Sequence, residues 1–265
     1  MAERNSLNIL NEALLPTTTV HQHRCRIFQA SKRPASGEKE IETSWGKVKV
    51  KGRLGQVHAT LIETIMNNAI DKREVDGCVY LLIDFYSIRR EMTNNKHHYS
   101  YETIHKLLDD IMTTLLDVTI PNRKISRAKG HLIDEVYESN KSKFNPFGGE
   151  RKLWIVKIGR VGRAFLRDDI PLFYDSESIS KMKHGISQAV ARHVLSHAKA
   201  PSGGWYLNTI ITAVSGTTGG QALRDSRRRL KEDIAWLVDL GIVINGDRVQ
   251  LQRGTKARGK SVTAL

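Results

Sequence analysis

The residues best suited to chemistry lie in a basic stretch near the C-terminal end. Its cationic side chains are Arg224, Arg227, Arg228, Arg229 and Lys231. Arginine pairs through two donors with guanine, and glutamine, here Gln221, can pair with adenine. Gly219 and Gly220 precede this stretch and leave backbone N–H groups open to a phosphate at the start of a helix. These residue types predict a surface that reads double-stranded DNA.

Helical periodicity separates an apolar face from a polar face in this stretch. The pattern from Gln221 to Leu240 ends at Gly241. Within it, Leu230, Ile234 and Leu237 fall within about 40° of Leu223 and predict a buried face. Gln221, Arg224 and Arg228 lie towards the opposite face. Thr218, three residues before Gln221, indicates a capping box. The alternative interpretation is a solvated helix whose charge serves solubility.

The flanking segments complete a recognisable order of elements. A short apolar segment from Leu207 to Val214 precedes the turn SGTTGG, and IVI-NGD-RVQLQ predicts a hairpin around Asn245-Gly246. Helix, turn, helix and hairpin are typical of a winged helix-turn-helix. The predicted DNA contacts here are Thr218, Gly219, Gly220, Gln221, Arg224, Arg227, Arg228 and Lys231, with Asn245 and Arg248 in the hairpin.

The C-terminal tail contains a phosphate-loop pattern that we interpret differently. Residues 254–261 read GTKARGKS, which matches G-x-x-x-x-G-K-[ST]. Such a loop works only where it opens a helix within a βα unit, and only VTAL follows here. We therefore expect no ATP hydrolysis. We expect a flexible basic tail that contacts DNA phosphates through Arg253, Lys256, Arg258 and Lys260.

Histidines offer weaker candidates for metal chemistry. His193 and His197 are spaced i, i+4 on one helix, but no third ligand and no HExxH glutamate accompany them. His21-Gln22-His23 lacks the hydrophobic residue between the histidines of the HUH nicking motif, and adding Cys25 does not give a four-ligand zinc spacing. We predict no metal, no cofactor and no catalytic residue, and thus a protein that is not an enzyme.

Composition sets the broader class. The 265 residues carry 42 Lys+Arg against 28 Asp+Glu, a net charge of +14. A surplus of this size attracts phosphate backbones. Cys25 and Cys78 are far apart, which indicates a reducing compartment. No apolar run approaches the ~18 residues of a membrane span. We expect a cytoplasmic protein.

The chain as a whole predicts an α+β protein with two tandem winged-helix domains. We place an N-terminal arm, mostly extended, at 1–45, the first domain at 46–160, the second at 161–253 and the tail at 254–265. In the first domain a helix beginning after Ser100 would present Tyr101, His105 and Lys106 to DNA. Its mixed charge leaves base reading there and a contact with backbone or another protomer equally open.

The second half resembles the C-terminal winged helix of plasmid replication initiators, most closely the TrfA-like group. The resemblance rests on Ala191-Arg192 in a helix, a short strand, a Gly turn and an Arg-rich helix that ends L-x-x-x-G-[LI]-V at Leu237 to Val243. DFYSIRREM and YSYETIHKLLDDIMTTLLDVTI resemble the first winged helix of that family more loosely. Together these segments cover roughly residues 50–252.

The resemblance implies an initiator that binds tandem repeats, or iterons, at a plasmid origin. Its implied partners are double-stranded DNA, a host replication initiator and helicase proteins, with a homodimer as a further assembly. The first 45 residues hold no Q-L-x-L-F-like clamp peptide, so a sliding-clamp contact is not expected. The alternative is a winged-helix transcriptional repressor, which more often offers one reader per protomer to a palindromic operator.

Overall fold

The computed structural model describes residues 15–93, 98–121, 127–145, 148–174 and 176–252. Over these ranges the protein is a mixed α+β structure with small antiparallel sheets. Among the described residues no helix combines the length and the apolar character that crossing a bilayer requires. The predicted tail residues Arg253, Lys256, Arg258 and Lys260 lie outside the described residues.

The helices and strands alternate along the chain. The described helices are α1 (Val20–Arg24), α2 (Gln56–Asn68), α3 (Phe85–Met92), α4 (Tyr101–Thr113), α5 (Arg160–Asp168), α6 (Glu177–Lys181), α7 (Gly185–Leu195), α8 (Leu207–Ser215), α9 (Gly220–Glu232) and α10 (Ile234–Asp239). The described strands are β1 (Thr18–Thr19), β2 (Gly37–Thr43), β3 (Gly46–Gly52), β4 (Asp71–Val75), β5 (Cys78–Ile83), β6 (Leu115–Thr119), β7 (Arg127–Gly130), β8 (Ile133–Phe144), β9 (Glu150–Ile158), β10 (Pro171–Leu172), β11 (Trp205–Tyr206), β12 (Ile242–Asn245) and β13 (Arg248–Leu251).

Two hydrophobic cores organise these elements. The first takes its buried side chains from positions between Cys25 and Phe165, beneath the sheets β2-β3-β6-β7 and β4-β5-β9-β8. The second takes its buried side chains from Ile179 to Val249, beneath the sheet β11-β13-β12. In β3 the valines point inward and the lysines outward, the alternation expected of a half-buried strand.

Local signals fix several element boundaries. Asp84 caps α3 by accepting a hydrogen bond from the Tyr86 backbone N–H at 3.0 Å. Ser100 caps α4 by accepting from the Thr103 N–H at 3.1 Å. Gly246 adopts a φ of +56° in the turn between β12 and β13. Asp and Ser are preferred N-cap residues, so both caps follow from the local sequence. The predicted hairpin around Asn245-Gly246 is confirmed.

Three predicted segments differ from the structure. The single helix expected from Gln221 to Leu240 is divided at Asp233 into α9 and α10, and Ile234 is consequently exposed rather than buried. The apolar residues between Ile179 and Ala198 recur at helical spacing and predict one helix, but this segment forms two helices, α6 and α7. Leu115 continues the helical spacing of Ile104, Leu108 and Ile111, but it begins strand β6. In each case, side-chain or strand pairing from a distant segment overrides the local helical pattern.

The N-terminal segment is packed rather than a mostly extended arm over its described part. Cys25, Ile27 and Phe28 belong to the first core, and α1 contacts α7 and α8 of the second. β2 pairs along its length with β3. The segment GRVGRAFLRDDIP, which joins the two halves of the chain, contains helix α5, and Val161 and Phe165 of this helix belong to the first core. The N-terminal segment therefore contacts both cores.

A buried ion pair joins the two cores. Arg192 of α7 donates two hydrogen bonds to Glu63 of α2, from Nε to Oε1 and from Nη2 to Oε2, each 2.7 Å long. Both side chains are about 1% exposed. The remaining guanidinium donors reach Gln56 and Thr60 at 2.8 and 2.9 Å. The Tyr174 hydroxyl donates to Glu63 Oε1 at 2.7 Å. The charges are thus fully paired, as burial requires.

Replacing Arg192 alone should be strongly destabilising. In Arg192→Met the Glu63 carboxylate stays buried without its countercharge, and we expect the free energy of unfolding to fall by about 3–5 kcal/mol. The double variant Arg192→Met/Glu63→Gln removes the stranded charge and should recover part of that loss. Urea unfolding of the three proteins measures both effects. A single variant within about 1 kcal/mol of the wild type would contradict this role.

Buried neutral histidines make stability depend on pH. Burial, with smaller effects of His197 and Arg24, lowers the pKa of His193 to about 3, and burial lowers that of His23 well below its usual value. The unfolded chain therefore takes up protons below about pH 6.5 while the folded protein does not. The free energy of unfolding should fall as the pH drops from about 6.5, by up to roughly 1.4 kcal/mol per pH unit for each histidine.

Urea unfolding at pH 7.5 and pH 5 tests this dependence. His193→Gln should reduce the difference between the two free energies of unfolding, whatever its effect at pH 7.5. The interval lies above the usual carboxyl range, so histidines dominate the change. An equal difference in wild type and variant would show that His193 does not contribute.

Candidate nucleic-acid interface

Helix α9 presents a cationic face to solvent. Leu230 is buried in the second core and Leu223 packs half-buried against it, as the helical wheel predicts. Arg224, Arg228, Arg229 and Lys231 are exposed along the rest of the helix. Arg224 donates to Gln221 Oε1 at 2.8 Å, so the two exposed side chains stand together near the start of the helix. This pairing fixes a donor and an acceptor on one exposed surface.

The start of α9 is open, although not in the way the sequence predicts. The N-cap is Gly219, which has no side chain, and no side-chain hydrogen bond caps the helix. The capping box predicted between Thr218 and Gln221 is therefore wrong, because Thr218 lies one residue before the cap. Thr218, Gly219 and Gly220 are all exposed. The first backbone N–H groups of α9 are thus available to an outside acceptor.

Arg227 is used inside the protein. Its Nε donates to Asn208 Oδ1 of α8 at 2.9 Å, and its Nη1 donates to Asp247 Oδ1 in the β12–β13 turn at 2.5 Å. The side chain therefore links α8, α9 and the hairpin. Arg227 therefore holds α9 against α8 and the hairpin, whereas the sequence predicts that it contacts DNA.

The hairpin carries a second cation beside α9. The Arg248 guanidinium lies over the Tyr206 ring, 3.6 Å from its centroid, and also donates to the Gly204 carbonyl at 3.3 Å. Tyr206 remains 58% exposed. Asn245 is exposed at the turn of the same hairpin. A stacked arginine keeps its charge while losing little side-chain freedom on binding, which suits contact with a phosphate.

Further along α9 the charges are balanced. Arg228 Nη1 donates to Glu232 Oε1 at 3.3 Å, and Arg228 Nη2 lies 3.8 Å from Asp225 Oδ1. Glu232 also accepts from Lys183 and His184, and these hydrogen bonds lower its pKa to about 2. Arg228 remains 65% exposed in its side chain. The carboxylates weaken the local potential, so the more positive part of the face lies towards Arg224.

Asp233 positions α9 and was missed in the sequence. It is 2% exposed, and its two carboxylate oxygens accept from the backbone N–H groups of Lys183 and His184 at 2.7 and 2.9 Å. His184 is the N-cap of α7, so Asp233 provides the cap that the local sequence of α7 lacks. The sequence does contain a signal for this role, because Asp233 interrupts the apolar positions between Leu230 and Leu237 and a buried carboxylate needs hydrogen-bond donors.

The residues of α4 that the sequence predicts to contact DNA interact with other side chains of the protein. His105 is half-buried, with its ring 4.9 Å from that of Phe85 and 5.3 Å from that of Trp154. The prediction that it points outward is wrong, because these aromatic rings stack with it. Tyr101 is exposed and lies beneath Arg89, while Lys106 pairs with Glu102 at 2.7 Å. α4 therefore lacks the unopposed cations of α9.

The histidine pairs are occupied by structural contacts. His21 Nδ1 lies 2.5 Å from Asp169 Oδ1, and His197 Nδ1 lies 2.8 Å from the His193 carbonyl. Within the described ranges, no three His, Cys, Asp or Glu side chains gather in a way that could hold a metal ion. The cationic face of α9 is thus the candidate site, because its exposed cations and open helix start suit an anionic ligand.

Comparisons with known proteins identify a related fold. No family model and no curated protein matches this chain. A crystal structure of domains 2 and 3 of RctB matches with 10% identity and a TM-score of 0.51, over 88% of this chain and 96% of that one. A second crystal structure of RctB domains 2-3 matches with 9% identity and a TM-score of 0.46, over 86% of this chain and 84% of that one. The first comparison shows that the chain shares its fold with this two-domain fragment.

A double-mutant cycle tests the positioning role of Arg227. Because Arg227 and Asp247 are partly exposed, we expect their coupling to contribute about 0.2–1 kcal/mol to the free energy of unfolding. The proteins are Arg227→Ala, Asp247→Ala and the combination, compared by urea unfolding. Arg224→Ala is the matched control and should change stability by no more than about 0.5 kcal/mol. Additive losses in the cycle would show that the link to the hairpin is not formed in solution.

Proposed function

We propose that this protein is a non-enzymatic, site-specific DNA-binding protein that initiates DNA replication. In this proposal the second core is a winged helix, with α9 as its recognition helix and the β12–β13 hairpin as its wing. The exposed face of α9 around Gln221 and Arg224 carries the proposal, because it combines base-reading side chains with an open helix start.

Electrostatics support binding to nucleic acid. The chain carries a net charge of +14, and four exposed cations lie along α9, at Arg224, Arg228, Arg229 and Lys231. Arg248 on the wing would contact the backbone beside the groove that α9 enters. Phosphate contacts of this kind position a protein on DNA, while base contacts give the sequence preference. Gln221 and Arg224 are therefore the proposed base readers.

The shared fold supports a role in initiation. RctB is a replication initiator of Vibrio chromosome II, and this chain covers 96% of its two-domain fragment. We propose that the present protein acts at a plasmid origin with directly repeated sites, in line with its resemblance to plasmid initiators. A first winged helix built around α3, α4 and the β8–β9 hairpin would then contact the same DNA. Host initiator and helicase proteins are the proposed partners.

One observation favours the alternative of a transcriptional repressor. In the first half, His105 stacks in an aromatic cluster and Lys106 is paired with Glu102. A protein with a single reader, α9, would recognise an inverted repeat as a dimer, as many repressors do.

The arrangement of binding sites separates the two proposals. Sheared DNA from the source cell, captured on the purified protein and sequenced, gives the bound sites, and footprinting gives their spacing. Direct repeats beside an AT-rich tract support initiation. A lone inverted repeat in front of a gene supports the repressor. Capture of random fragments without a shared site would contradict site-specific binding.

Arg224→Ala should weaken binding to the selected site and relax its sequence preference. Loss of a two-donor contact to guanine costs about 1–3 kcal/mol, which is roughly a 5- to 150-fold rise in Kd, and the loss should concern one base position. Fluorescence anisotropy on the site and its single-base variants measures this change. Lys49→Ala, a cation on the β2–β3 hairpin, is the charge-matched control. A uniform loss over all sequences would instead make Arg224 a phosphate contact.

A further inference from the structure

Arg26 adopts an unusual backbone conformation beside the turn before α9. Its φ is +52°, in the left-handed region that residues other than glycine and asparagine rarely occupy. The residue directly follows α1 and Cys25, which is fully buried. The fold of this segment therefore holds Arg26 in a strained conformation. Such strain persists only where the surroundings impose it.

The Arg26 side chain points to the turn between α8 and α9. A Cβ placed on Gly216, the left-handed C-cap of α8, would collide with Arg26 Nη1 and lie 3.4 Å from Cζ. The guanidinium therefore lies directly against the backbone of this turn. The turn itself is closed by its own residues, since the Thr212 hydroxyl donates to the Thr217 carbonyl at 2.9 Å. The open start of α9 follows within a few residues.

The guanidinium is not neutralised where it lies. Arg26 Nε is buried and has no hydrogen-bond partner among the described residues. Burial lowers the pKa of Arg26, and no carboxylate acts in the other direction. Arg192, the other arginine in the cleft that Arg26 lines, is by contrast held by Glu63. A partly desolvated cation without a counterion is costly unless a ligand supplies the negative charge.

We propose that Arg26 donates to a backbone phosphate of the DNA whose groove α9 enters. The proposal rests on the proposed function, because it places the DNA over the α8–α9 turn. Arg26 would act from the N-terminal segment, across the junction of the two cores, and so couple the packing of that segment to DNA binding. The competing interpretation is structural: the cation could simply stabilise the carbonyl end of α8.

Arg26→Asn separates the two interpretations. Asparagine tolerates a positive φ and carries no charge. If Arg26 serves DNA, the Tm of the variant should equal or exceed that of the wild type, because strain and an unpaired cation are both removed. Binding to a fluorescein-labelled duplex of about 30 bp that carries the selected site should weaken, and the slope of log Kd against log salt should become shallower by about 1. Arg26→Lys keeps the charge and should retain the slope.

Arg224→Ala on the same duplex distinguishes failure of this inference from failure of the proposed function. If Arg224→Ala weakens binding while Arg26→Asn leaves the salt slope unchanged, the inference about Arg26 is wrong and the proposed function stands. A wild-type protein that does not bind the duplex overturns both. Weaker binding with a shallower slope in Arg26→Asn, restored in Arg26→Lys, supports the phosphate contact.

Discussion

The buried pairing of Arg192 with Glu63 is the interaction on which the arrangement of this protein depends. It joins α7 of the second core to α2 of the first, and the Arg192 guanidinium donates to Glu63, Gln56 and Thr60 of α2. α7 in turn receives its N-terminal cap from Asp233, which follows α9. Through this chain of contacts the basic helix is oriented relative to the first core. Ala191-Arg192 carries part of the resemblance to plasmid initiators, and in this structure Arg192 of that pair connects the two cores.

Charged side chains divide into those that hold the fold and those left for a partner. Arg192 and Arg227 form hydrogen bonds within the protein, although nothing in their local sequence distinguishes them from other arginines. Arg224 stays exposed beside Gln221, and Arg248 is stacked on Tyr206 without losing its charge. Net charge alone could not make this distinction. The separation follows from which acidic groups the fold brings near each guanidinium, as Glu63 and Asp247 show.

Local features of the fold could be predicted, whereas features set by distant contacts could not. The caps at Asp84 and Ser100, and the Asn245-Gly246 hairpin, depend on residues close in sequence, and the structure has them. The break at Asp233 depends on the start of α7, about fifty residues earlier, and the burial of Cys25 depends on the first core. The cationic face of α9 was predictable from periodicity. The role of Arg227 and the stacking of His105 required knowledge of their distant partners.

The central claim, that the exposed face of α9 lies against DNA bases, can be tested by site-directed crosslinking. A photoreactive amino acid at Gln221 should form crosslinks to bases in the bound site, mapped as stops in primer extension. The same group at Tyr101 on α4 gives the comparison for the first half. Base crosslinks from position 221 are the result that our account predicts. Stable binding of the labelled protein without any crosslink from position 221 would contradict it.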